Sequence, residues 1–152
     1  PEGVLPAASE AKQRYLSRDL ARRAPALARG LAAGRSWPLP SERNGVGFLA
    51  LVGQEAPWAL PALSAALVRA TWVEGHDPDD PAVIMPLARA HDLEHLALRA
   101  AAGEGEAALA ANLDEADRLD VCGVPALVVG PEAQVYFGED RLDLALDLHR
   151  GR

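Results

Sequence analysis

The stretch Val121-Cys122-Gly123-Val124-Pro125-Ala126-Leu127-Val128-Val129-Gly130, continued by Gln134-Val135-Tyr136-Phe137-Gly138-Glu139-Asp140-Arg141-Leu142-Asp143, decides how the rest of the chain is read. Ala126–Val129 and Gln134–Phe137 are β-prone runs, and Gly130-Pro131-Glu132-Ala133 between them has the composition of a short polar turn. The pattern predicts a hairpin. Pro125 fits the start of a strand, where the ladder has no use for a donor N–H. From Asp140 onward, Leu142, Ala145, Leu146 and His149 recur at helical spacing, so an amphipathic helix should follow. Ala126–Val129 is apolar without alternation, which suits a strand covered on both faces. An isolated hairpin is marginal in water, and an open edge invites another chain. Its free edge is therefore expected to be filled by a segment preceding Pro1, by a second subunit or by a swapped strand.

Working back from the hairpin, the spacing predicts helices almost continuously. Ser9 has the chemistry of an N-cap for a helix that presents Tyr15, Leu16, Leu20 and Ala24 on one side. Pro25 should break or kink that helix, because it removes a donor and crowds the turn before it. A second helical stretch should then run to Gly30, and Gly34–Pro40 reads as an extended connection after the lead-in Pro1–Ala8. Asn44–Gln54 has helical spacing despite its glycines. Pro57–Val73 carries Leu60, Leu63, Leu67 and Ala70 on one face, and Trp72, four residues after Val68, is expected to be largely buried. His76–Pro81 is an acidic turn in which Asp80 and Pro81 form an N-cap and N1 pair. Ala82–His91, containing Pro86, follows, and then Glu94–Ala102 and Glu104–Leu119, parted by Gly103. The order is a helical block over residues 9–120, then strand, strand and helix over 121–152, within one domain.

Length and composition narrow the function classes. A chain of 152 residues is long enough for a sizeable core. Its 22 acidic residues against 15 basic ones give a net charge of -7, the wrong balance for a general nucleic-acid binder. No apolar run approaches the roughly 20 residues of a membrane-spanning helix, and no secretory leader is recognised. Cys122 is the single cysteine, so the chain forms neither an internal disulfide nor a Cys-x-x-Cys pair. A cytoplasmic protein that binds neither nucleic acid nor membrane is the expectation. The chain opens at Pro1 without a strand before its first helix.

Gly123-Val124-Pro125 together with Phe137-Gly138-Glu139-Asp140-Arg141-Leu142-Asp143 resembles the closing part of 2-hydroxychromene-2-carboxylate isomerases and kappa-class glutathione transferases. Both belong to the DsbA-like branch of the thioredoxin superfamily. The likeness continues through Lys12-Gln13-Arg14-Tyr15 and Arg69-Ala70-Thr71-Trp72-Val73-Glu74-Gly75-His76-Asp77, and so covers nearly the whole chain. It implies an α/β, thioredoxin-like fold with a large helical insertion, here mostly helical plus the C-terminal hairpin and helix. It also implies an N-terminal strand-helix-strand upstream of Pro1, carrying the serine that such isomerases use with glutathione. No catalytic residue is thus expected within these residues. The implied function is a glutathione-dependent isomerase acting on an aromatic or chromene carboxylate. A DsbA-like thiol-disulfide oxidoreductase, which would need a cysteine pair upstream, and a non-catalytic helical interaction fragment are the alternatives.

The resemblance names the glutathione-binding candidates Lys12, Val124, Pro125, Glu139, Asp140 and Arg141. A cis Val124–Pro125 bond would free the Val124 backbone for an extended peptide, whereas a trans proline at a strand start explains the same residue without a ligand. The resemblance favours cis. Asp140 is at once a helix N-cap or first-turn acid and, by resemblance, the acceptor of the γ-glutamyl ammonium. Arg141 is a surface cation or helps hold the adjoining carboxylate. Glu139 departs from the family pattern, where a neutral polar residue is usual, and a carboxylate there would repel the glutamyl carboxylate. Lys12 shares a helical face with Tyr15 and by resemblance pairs with the glycyl carboxylate; otherwise it is an exposed helix lysine. His91 and His95 are four apart but lack a third ligand, and the acidic run lacks the spacing of a calcium loop, so no metal is expected. Cys122 reads either as a small buried hydrophobe or as a reactive thiol.

Overall fold

A computed structural model of the protein describes residues 9–26 and 43–151. Along the chain run α1 (Glu10–Ala26), α2 (Arg43–Glu55), α3 (Leu60–Trp72), α4 (Pro81–Arg89), α5 (Glu94–Arg99), a π-helical segment (Ala100–Glu104) and α6 (Gly105–Arg118). Strands β1 (Ala126–Val129) and β2 (Gln134–Phe137) follow, then a 3-10 turn (Glu139–Arg141) and α7 (Leu142–His149). Two compact units result, one within Ala7–Ala110 and one from Ala111 onward, with the boundary inside α6. The expected stretches Pro1–Ala8, the helix to Gly30 and the connection Gly34–Pro40 lie outside the described residues.

In the first unit, α2 packs against α3, α5 and the π segment, while α4 packs against α3 and α5. Phe48, Val52, Leu63 and Leu96 are the largest fully buried side chains at the centre. They come from three helices whose apolar residues recur at helical spacing, so burial of one stripe per helix closes this core. Two of the three glycines that lower the helix propensity of α2, Gly45 and Gly47, are places of close approach. A Cβ on Gly45 would lie 2.5 Å from the carbonyl oxygen of Pro78. One on Gly47 would lie 3.0 Å from the Cα of Gly105, so α2 and α6 meet backbone to backbone.

The acidic turn between α3 and α4 does capping work. Asp80 Oδ1 accepts the Ala82 N–H at 2.8 Å with Pro81 at the first helical position, as expected. Asp79 Oδ1 accepts the N–H groups of Asn44 and Gly45 at 2.8 and 3.2 Å, and so satisfies the open end of α2. Ser9 caps α1 by accepting the Lys12 N–H at 3.3 Å.

Several expectations need correcting. Helix α1 runs through Pro25 to Ala26, the last described residue of this stretch, so the proline does not end the helix before it. Helix α3 begins at Leu60 because Pro57, Trp58 and Ala59 form a separate turn, closed by the Ala59 N–H to the Ala56 carbonyl at 3.0 Å. Trp72 is half-buried, near the C-terminal end of α3, and Val68 is 55% exposed. The predicted helix over Glu94–Ala102 is α-helical only to Arg99, then passes into the π segment, where Gly103 takes a φ of 104°. That left-handed conformation is open to glycine and explains the break before α6.

The second unit holds the hairpin. Strands β1 and β2 pair antiparallel with Ala126 opposite Phe137 and Val129 opposite Gln134, so both strand boundaries are as the sequence predicts. Gly130 and Ala133 take positive φ of 77° and 49°, and the Ala133 N–H closes the turn on Gly130 O at 3.2 Å. Among the described residues no third strand joins this sheet, and Val128 is 44% exposed rather than covered. The expected occupant of the free edge is therefore not among them. Ala145 of α7 is fully buried, whereas Leu142, Leu146 and His149, expected beside it on one face, are exposed. No described helix is long and apolar enough to cross a membrane.

Candidate functional site at the open end of the hairpin

Helix α6 delivers the chain to this place. Asp120 adopts a φ of 55° past the end of the helix, and the Val121 N–H returns to the Ala116 carbonyl at 2.9 Å. This is the geometry by which a left-handed residue ends a helix and satisfies its last carbonyls. The chain then runs through Cys122, which is exposed and free, not the small buried hydrophobe that is the commoner role of such a cysteine. Gly123 is buried. A Cβ there would lie 2.8 Å from Cε2 of Phe137, so a larger residue would have to push that ring aside.

The Val124–Pro125 peptide is cis, as the resemblance favours. Pro125, without a donor, uses its carbonyl: it accepts the Gly138 N–H at 2.9 Å, one step beyond the Ala126–Phe137 pair. This bond carries the ladder past the strands and brings Val124–Pro125 to the same end of the hairpin as Glu139, Asp140 and Arg141. Val124 is 74% exposed there.

Gly138 turns the chain out of β2 with a φ of 100°. A Cβ at this position would stand 2.5 Å from Asp140 Oδ1, a side-chain tip free to swing away, so it is the positive φ that keeps the residue glycine. The Arg141 N–H closes the 3-10 turn on Gly138 O at 3.2 Å. Asp140 is thus not the N-cap of α7. It sits in the 3-10 turn, no side chain caps either helical segment, and the residue flanking α7 is Arg141. The Asp140 carboxylate instead faces the Arg141 guanidinium at 3.6 Å, with both side chains mostly exposed. Glu139 is exposed beside them.

Of the sequence candidates, Val124, Pro125, Glu139, Asp140 and Arg141 are brought together in the second unit. Lys12 belongs to the first, on α1, with its side chain exposed. Gly123, Gly138 and Phe137 position this cluster, and the signal for them was a glycine at each end of the hairpin's open side. His91 and His95 do not share a helix, because α4 ends at Arg89, Asp92 turns the chain at a φ of 59° and α5 starts at Glu94. Among the described residues no group of three or more His, Cys, Asp or Glu side chains is placed to hold a metal ion.

Chemically, the cluster is an exposed main-chain segment beside two carboxylates and one guanidinium. The carboxylates suit an ammonium group, and the guanidinium, shared with Asp140, can turn to a carboxylate of a ligand. A search among curated proteins finds no significant match to the sequence. The family model of the DSBA-like thioredoxin domain matches residues 1–148, and the chain belongs to that family, whose members are often oxidoreductases or isomerases.

Proposed function

We propose that this protein works as a glutathione-dependent isomerase of the 2-hydroxychromene-2-carboxylate isomerase type, acting on an aromatic or chromene carboxylate. The observation that supports this reading is the Gly138 N–H to Pro125 O bond, which sets the Gly123-Val124-Pro125 segment beside Glu139-Asp140-Arg141. These are the two sequence segments on which the resemblance rests. In this reading Asp140 receives the γ-glutamyl ammonium, Arg141 the adjoining carboxylate, and Val124 pairs through its backbone with the extended tripeptide. The reaction itself needs a serine of the kind that the resembled isomerases use. A reducing, glutathione-rich cytoplasm is the matching compartment.

The test is titration calorimetry of glutathione into the full-length gene product. Binding is expected, and Asp140→Ala should weaken it at least tenfold while leaving the thermal midpoint nearly unchanged. Undiminished binding in Asp140→Ala would overturn the assignment. The DsbA-like family match also accommodates a thiol-disulfide oxidoreductase. The residues encoded before Pro1 discriminate the two: a serine at the start of the upstream helix supports the isomerase, and a Cys-x-x-Cys pair supports the oxidoreductase.

A further inference from the structure

We draw no further inference here: the strongest candidate, the leucines Leu142, Leu144, Leu146 and Leu148 exposed on two sides of α7, has nothing in the structure to show what covers them.

Discussion

Arg99 on α5 grips Glu55 at the end of α2 with two parallel contacts, Nη1 to Oε2 at 2.9 Å and Nη2 to Oε1 at 2.8 Å. The same guanidinium reaches Glu104 across the π segment at 2.8 Å. One planar cation therefore fastens the end of one helix to both sides of a break in another, a geometry that lysine could not reproduce.

The ion pair gives a pH dependence with a definite sign. The hydrogen bond from Arg99 holds the Glu55 carboxyl below the usual carboxylate range, with the charges of Arg99 and His95 adding and desolvation opposing. A carboxyl depressed on folding stabilises above its unfolded value, and that contribution is lost as pH falls through its folded value. Donating to Glu104 and then to Glu55 raises Arg99 further, which keeps it charged throughout the working range. Thermal midpoints measured from pH 6 to pH 3 should fall below about pH 4.3. Glu55→Gln should make that decline shallower, and Arg99→Gln should do the same without further effect in the double variant. Equal acid slopes in all of these proteins would show that the pair is thermodynamically silent.

Alanine substitutions at two glycines should have opposite signs. A Cβ on Gly105 would meet the Cα and carbonyl carbon of Gly47 at 2.9 Å, and main chain cannot step aside as a side chain can. Gly105→Ala should cost about 1–3 kcal/mol, more than the gain of about 1 kcal/mol from helix propensity. At Gly53 the nearest atom is Leu60 Cδ2 at 3.5 Å, an ordinary contact. Gly53→Ala should therefore stabilise by about 0.5–1 kcal/mol. Urea midpoints decide both.

Core truncations should follow burial rather than residue size. Phe48 is 1% exposed, and Phe48→Ala should cost about 3–5 kcal/mol. Trp72 has its indole partly in water, so Trp72→Ala should cost less, about 1–3 kcal/mol. Denaturant unfolding that ranked Trp72 above Phe48 would contradict the packing described here.

If the proposed function holds, Glu139 should lower the affinity for glutathione. A carboxylate adjoining Asp140 should repel the glutamyl carboxylate, so Glu139→Ser should tighten binding roughly two- to fivefold, an energy in keeping with exposed charge pairs. The gain should shrink as salt is raised, because the repulsion is screened. A salt-independent change would mean that Glu139 acts through shape instead.

Local stability should differ between the two units. Among the described residues from Ala111 onward, Ala145 is the one buried apolar side chain, whereas the first unit buries Phe48, Val52, Leu63 and Leu96. A two-stranded hairpin with so little covered surface opens readily. Amides of Leu127 and Tyr136 should exchange with solvent orders of magnitude faster than those of Leu51 or Leu96. Comparable protection at all four would mean that the hairpin is covered in solution.

Where the sequence was legible, the cause was local. The strand limits at Ala126, Val129, Gln134 and Phe137 follow from β-prone runs bounded by turn residues, and Asp80-Pro81 announces α4 by capping chemistry. What stayed hidden depended on contacts distant in the chain. Nothing near Gly47 reveals that Gly105 lies against it, and no spacing rule tells that Asp79 serves α2. At the candidate site, Asp140 illustrates the limit. Its sequence position suits an N-cap, but the 3-10 turn after Gly138 moves the start of α7 to Leu142 and leaves the carboxylate with Arg141.

The Asp79 cap also orders events during synthesis. Its acceptor oxygen stands 35 positions after Asn44, the first N–H it serves. At about 5–20 residues per second, the ribosome must work for roughly 2–7 s after Asn44 is made before the cap exists. Through that interval the nascent α2 has its apolar stripe but no partner for its leading amides. Slowing elongation between α2 and Asp79 would prolong this half-finished state, so codon choice across α3 bears on how cleanly the first unit assembles.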